Sequence, residues 1–194
     1  MNEFSLWFVT GLEHITTDGA YDHILFVALI TLAYTVQEWK KILILITGFT
    51  LGHSVSLALS VYDVFVLNQA LAEILIASTI LLTACFELFR IRQSSMKNAR
   101  ILYVFIPLFG GIHGMGFSYL IRSMLGNTES PGFPLLFFNA GIEIGQLLIV
   151  IIVILFYLIL SRTFKVTHNQ LKIFIACVSV LFSIVILIQR LFYS

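Results

Sequence analysis

Four of the five histidines, His14, His23, His53 and His113, lie in or beside strongly apolar runs, and Asp22, Glu73, Asn139, Glu143 and Gln146 fall at a similar level. Ionisable groups inside a bilayer are costly and persist where they pair, line a cavity or hold an ion. Imidazole and carboxylate together form the donor set of a borderline divalent cation such as nickel, cobalt, copper or zinc, whereas calcium and magnesium sites are built from oxygen. His23, His53 and His113 supply three nitrogens. Asp22 or Glu143 completes the ligand set, or orients a histidine through its second ring nitrogen. Asn139, Glu143 and Gln146 are spaced four and three apart and share one helix face. His14, Asp18 and Asp22 are also four apart, but Gly19 and the polar TTDG stretch interrupt a helix there. No HExxH or paired-cysteine motif is present, so the metal reading rests on convergence across helices. Each residue also has a plainer role open to it. His53 and His113 can serve as interhelical hydrogen-bonding residues, Glu73 as an interfacial carboxylate and His14 as a headgroup-level residue, while His168, beside Lys165, falls in a solvated loop.

The elements that must position these groups are apolar helices. In 194 residues, 59% are hydrophobic and 11% charged, and the mean hydropathy is +1.01. That is the composition of an integral membrane protein. Runs long enough to cross about 30 Å of hydrocarbon occupy roughly 20–36, 42–61, 69–89, 101–123, 134–160 and 170–190. The expected fold is an all-α polytopic bundle of about six transmembrane helices, one transmembrane domain over residues 1–194. MNEFSLWFVTGL is too short for a span and lacks the basic start of a cleaved signal. It reads as an interfacial or re-entrant segment, with a steeply inserted seventh helix, completed by neighbouring residues, as the alternative.

Charge orients the bundle. Lys40, Lys41, Arg90, Arg92, Lys97, Arg100, Arg162, Lys165 and Lys172, nine of the eleven basic residues, fall on one side. The positive-inside rule then puts both termini outside. Counting about 1.5 Å per residue from the outer ends, Asp22 and His23 come within about 5 Å of the outer edge, Glu73 at about 6 Å, and His53, His113 and Glu143 at about 12 to 15 Å. In the inner halves Glu87 is the one acidic residue, among Thr31, Thr35, Thr47, Ser78, Thr79, Thr83 and Tyr157, and no exit path is apparent. Cys85 and Cys177 read as buried free thiols. Pro107, followed by Gly110, Gly111, Gly114 and Gly116, marks the fourth span as the one to be kinked or unwound. The Gly48–Gly52 and Gly141–Gly145 pairs allow close helix approach. A net charge of +1 with no basic stripe excludes a nucleic-acid partner.

The blocks GLEHITTDGAYDHILFVALI, ITGFTLGHSVSLALS, GGIHGMGFS and FNAGIEIGQ, in this order over about residues 11–146, resemble the HupE/UreJ family of small membrane proteins. The resemblance implies nickel or, more broadly, transition-metal handling in a bacterial inner membrane. It carries that role onto His14, Asp22, His23, His53, His113 and Glu143. The spacing from His14 to Asp22–His23 is two residues longer than in the usual nickel-permease motif, so the resemblance implies a transition metal without fixing it as nickel. The leading expectation is a permease that admits a divalent cation past Glu13, Asp18 and Asp22 to the histidines, with Glu73, Asn139, Gln146 and Asp18 as pathway or supporting groups. Because neutral imidazole is the ligand, uptake should fall below about pH 6. Its partners are the metal ion, the lipid bilayer and a second copy of the chain. Two other readings stay open: an intramembrane zinc-dependent hydrolase acting on a lipid, with Glu143 or Asp22 as general base, and a metal sensor or chaperone.

Overall fold

The computed structural model describes residues 2–17, 19–93, 100–126 and 130–192, and among these all regular structure is helical. Seven helices follow in order: α1 Glu3–Thr16, α2 Tyr21–Ala33, α3 Trp39–Val61, α4 Gln69–Arg92, α5 Leu102–Leu125, α6 Gly132–Phe164 and α7 His168–Phe192. A short 3₁₀ turn, Val36–Glu38, joins α2 to α3. The last five are long and apolar enough to cross a membrane, and they match the five later runs of the sequence to within a few residues. Apolar side chains such as Leu51, Val55, Val104, Leu108, Ile152 and Ile159 face outward, as they must where lipid replaces water. The chain is therefore a polytopic helical membrane bundle.

The first crossing departs from expectation. The N-terminal segment does not lie along the interface but takes the alternative form, a steeply inserted seventh helix completed by its neighbours. It is a 14-residue helix, α1, packed parallel to the first half of α6. Phe4 meets Phe137, a methyl on Gly141 would strike the Phe8 carbonyl, and Ile15 lies over Gly145. The 13-residue α2 continues in the same direction to the basic end, where Arg90 donates to the Ala33 carbonyl. At about 1.5 Å per residue each helix covers only about 20 Å. The two in tandem therefore make one crossing, broken between Thr16 and Tyr21. The run at 20–36, expected as a single span, is its second half with the turn that follows.

Local chemistry sets the break. Thr16 and Thr17 turn their hydroxyls back to the carbonyls of Leu12 and Glu13, at 2.7 Å each, local side-chain-to-backbone bonds that compete with continuation of the helix. Thr17 is extended, and Gly19 takes a positive φ of 109° that a side chain would strain. At the other end of α1, the Asn2 side chain accepts from the Ser5 amide at 2.9 Å. By contrast α5 runs unbroken through Pro107, so the interruption expected there lies instead in the first crossing.

Apolar burial gives little drive between helices in lipid, and close packing takes over. Two parallel pairs are joined through glycine. In α3–α5, Gly52 abuts the Pro107 carbonyl, Gly110 the Phe49 carbonyl and Gly114 the His53 carbonyl. In α1–α6, Gly11 abuts the Phe138 carbonyl and Gly141 the Phe8 carbonyl. The antiparallel α4–α7 pair is tied by ion pairs near both ends, Glu73 with Arg190 and Glu87 with Lys172. Half-helix α2 sits among these pairs, buried from Phe26 to Ala33. Cys85 and Cys177 are exposed on the outer surface of the bundle, not buried; among the described residues nothing packs over those faces of α4 and α7.

Candidate metal centre

The break brings the histidines together. His14 ends α1, Asp22 and His23 open α2, and His53 and His113 face them from the glycine-joined α3–α5 pair. Ring centroids lie 4.8 Å apart for His14 and His23, 5.1 Å for His23 and His113, and 6.0 Å for His14 and His53. Two sets of potential ligand atoms, His14–His23–His53 and Asp22–His23–His113, each fall within 4.8 Å of one another and share His23. The cluster sits deep. Counting along α3 and α5, His53 and His113 lie about 17 to 21 Å from the basic end, and Tyr21 at the start of α2 meets Phe182, near the middle of α7. Asp22 and His23 are thus near mid-bundle, and the estimate that put them at the outer edge is corrected by the break.

Asp22 orients its neighbour. Its Oδ1 accepts from the His23 backbone amide at 2.8 Å and lies 2.9 Å from His23 Nδ1. A proton held on Nδ1 by the carboxylate leaves the Nε2 lone pair for a cation. On the far side, the Thr79 hydroxyl lies 3.2 Å from His113 Nε2. What remains, among the described residues, is a set of buried ring nitrogens with no hydrogen-bond partner, His14 Nε2, His23 Nε2 and His113 Nδ1, together with a fully buried His53 that has only the Asn139 side chain beside it. Buried polar atoms in this state cost about 1–3 kcal/mol each, and several on one cluster fit a cation that uses the lone pairs.

Aromatic rings wall the cluster. Phe117 lies 3.6 Å from His14 by ring centroids, Phe49 5.1 Å and Phe26 5.2 Å from His113, and Phe138 stacks on Phe117. Composition alone did not single them out, since phenylalanine is common throughout the chain. An open cavity of about 410 Å³, lined by Thr10, Glu13, His14, Asp22, His23 and Phe117 among others, leads to the cluster from the side opposite the basic end.

Most of the other expected site residues lie elsewhere. Glu143 bonds the Thr47 hydroxyl at 2.7 Å and Gln146 bonds Thr50 at 2.7 Å, forming a polar seam between α6 and α3. Asn139 donates to the Leu135 carbonyl of its own helix, and its side chain also stands beside His53 at the edge of the cluster. Glu73 pairs with Arg190. Asp18 lies outside the described residues. His168 is half-buried at the start of α7, with its ring edge on Tyr157, and is not simply solvated.

Fold and site together define a polytopic membrane protein with a histidine- and aspartate-lined centre at a break in its first crossing. The chain belongs to the HupE / UreJ protein family, whose family model matches residues 1–190. That family is associated with nickel and cobalt transport-related accessory function. No curated protein and no solved structure matches the chain significantly.

Proposed function

We propose that the protein is a divalent transition-metal permease and that His14, His23, His53 and His113, with Asp22, hold the cation midway across. Support comes chiefly from the unpartnered buried ring nitrogens that four helices bring to one place. By the positive-inside rule the basic end faces the cytoplasm, so the cavity beside Glu13 and Asp22 opens outward and admits the ion. There the cation exchanges water for imidazole. Asp22 offsets one of its charges, and the rings of Phe26, Phe49, Phe117 and Phe138 keep bulk water out. Glu143, at the Thr47 contact, supports the α3–α6 seam beside the cluster.

Flux into proteoliposomes loaded with a metal-sensitive fluorescent chelator tests this with nickel, cobalt, copper and zinc in turn. At least one ion should enter, and His53→Ala or His113→Ala should abolish both entry and retention of the metal by purified protein. Retained metal with no flux under any condition, accompanied by turnover of a lipid ester, would instead favour the zinc hydrolase.

A further inference from the structure

The histidine cluster has an entrance cavity, and the basic end carries the means to leave it. Thr79, Thr83 and Glu87 follow one another at four-residue steps on α4 and so line one face. All three are buried. The face begins at the cluster, where the Thr79 hydroxyl meets His113 Nε2 at 3.2 Å. It ends at Glu87, which is 0% exposed. Beyond Glu87 an open cavity of about 410 Å³, lined by Tyr34, Glu38, Arg90, His168 and Lys172 among others, leads out at the basic end.

Two cations close on this carboxylate. Glu87 Oε2 accepts from Arg90 Nη2 at 2.7 Å and from Lys172 Nζ at 2.8 Å. Both also address the Ala33 carbonyl at the end of α2, Arg90 closely and Lys172 at 3.5 Å. Glu87 Oε1 has no partner among the described residues although it is buried. An ion pair that served only to staple α2, α4 and α7 would be expected to use both carboxylate oxygens, because an unmatched one is costly in this setting. One oxygen free, a polar face leading back to His113 and a cavity beyond together describe a carboxylate with room for another cation. With two positive groups to one negative, the cluster as it stands repels a metal ion, so the passage is closed in this conformation.

We infer that the Thr79–Thr83–Glu87 face of α4 is the inner leg of the cation pathway, with Glu87 as its exit ligand and Arg90 and Lys172 as the latch that closes it. The inference rests on the permease reading above. A cation arriving at Glu87 Oε1 competes with the ammonium and guanidinium for the carboxylate, releases their hold on the end of α2, and leaves through the basic-end cavity.

Nickel flux into proteoliposomes and nickel retained by the purified protein, measured on the same preparations, test the inference. Glu87→Gln should retain nickel as the unmodified protein does while its initial flux falls at least tenfold. Lys172→Met, which removes one arm of the latch, should raise flux severalfold. Flux in Glu87→Gln within twofold of the unmodified protein overturns the inference and leaves the permease reading standing. Loss of flux in Lys172→Met, with nickel retained, makes the cluster a structural staple and also overturns it. Should either charge variant fail to fold, Thr83→Cys decides, in a chain whose Cys85 and Cys177 are replaced by alanine. A small membrane-impermeant thiol reagent supplied at the basic end should block its flux, and flux insensitive to the reagent rejects the path. An unmodified protein that retains nickel but passes neither it nor cobalt, copper or zinc under any condition removes the permease reading and this pathway with it.

Discussion

Gly114→Ala is the substitution through which the architecture makes its sharpest demand on the metal centre. A methyl group on Gly114 would overlap the carbonyl oxygen of His53 and the hydroxyl of Ser56. Ser56 can rotate aside, but the carbonyl belongs to α3 and cannot. Restoring ordinary carbon–oxygen contact needs α3 and α5 to part by about 1 Å at the level of His53 and His113. Metal–ligand distances tolerate only about 0.2 Å, so one histidine of the pair would be drawn out of reach or the backbone strained to keep it. Overpacking of this kind costs about 1–3 kcal/mol. If that cost falls on the metal-bound state, affinity drops roughly 5- to 150-fold. Gly111→Ala is the matched control: its methyl would find the Gly52 carbonyl oxygen at 3.8 Å and Ser56 Cβ at 4.0 Å, which is ordinary contact. Equilibrium dialysis of nickel or cobalt against detergent-purified protein, with helix content checked by circular dichroism, measures both variants. Equal affinities for the two would refute the claim that α3–α5 contact sets the spacing of His53 and His113.

Asp22→Asn should keep the side chain's shape but lose the charge that fixes the His23 proton, and metal affinity should fall about 10- to 100-fold, the usual cost of losing such a partner; an affinity within threefold of the unmodified protein would contradict this orienting role. Glu143→Gln should leave metal affinity within about threefold, because its Thr47 contact lies at the α3–α6 seam and a neutral amide oxygen can still accept that bond; a tenfold or larger loss by the same dialysis would place the carboxylate on the ion.

The five later spans were legible from hydropathy because each is long enough to cross by itself. The first crossing was not, because neither α1 nor α2 is, and a scan for runs of about 20 residues sees only the more apolar half. The signals of the break were present in TTDG and Gly19, but whether α1 descends beside α6 or lies along a surface depends on a contact between residues more than a hundred positions apart. Gly141 and Gly145 mark the receiving face on α6, and Gly11 its counterpart on α1, yet no sequence rule pairs them. Depth estimates for His23 inherited that ambiguity. Glu143, Asn139 and Gln146 share a face as expected from their spacing. What spacing cannot give is the helix opposite that face, and α3 meets it with Thr47 and Thr50 a turn or two away from His53.

The break also settles what charge its surroundings favour. Two helix ends meet there, the carbonyl end of α1 and the amide end of α2, with opposite partial charges of about half an elementary unit each. A cation at His14 gains from the first and is opposed by the second. Thr16 and Thr17 quench part of the α1 carbonyl end by bonding Leu12 and Glu13, so the helix ends alone would leave the place slightly unfavourable to a metal ion. Asp22, in the first turn of α2, reverses that balance: its full negative charge outweighs the amide end and stands where the cavity meets the cluster. The imidazoles then supply lone pairs without adding charge. Neutral ligands and one carboxylate leave a divalent ion under-compensated, which weakens its hold and is the condition a pathway needs if the ion is to leave again.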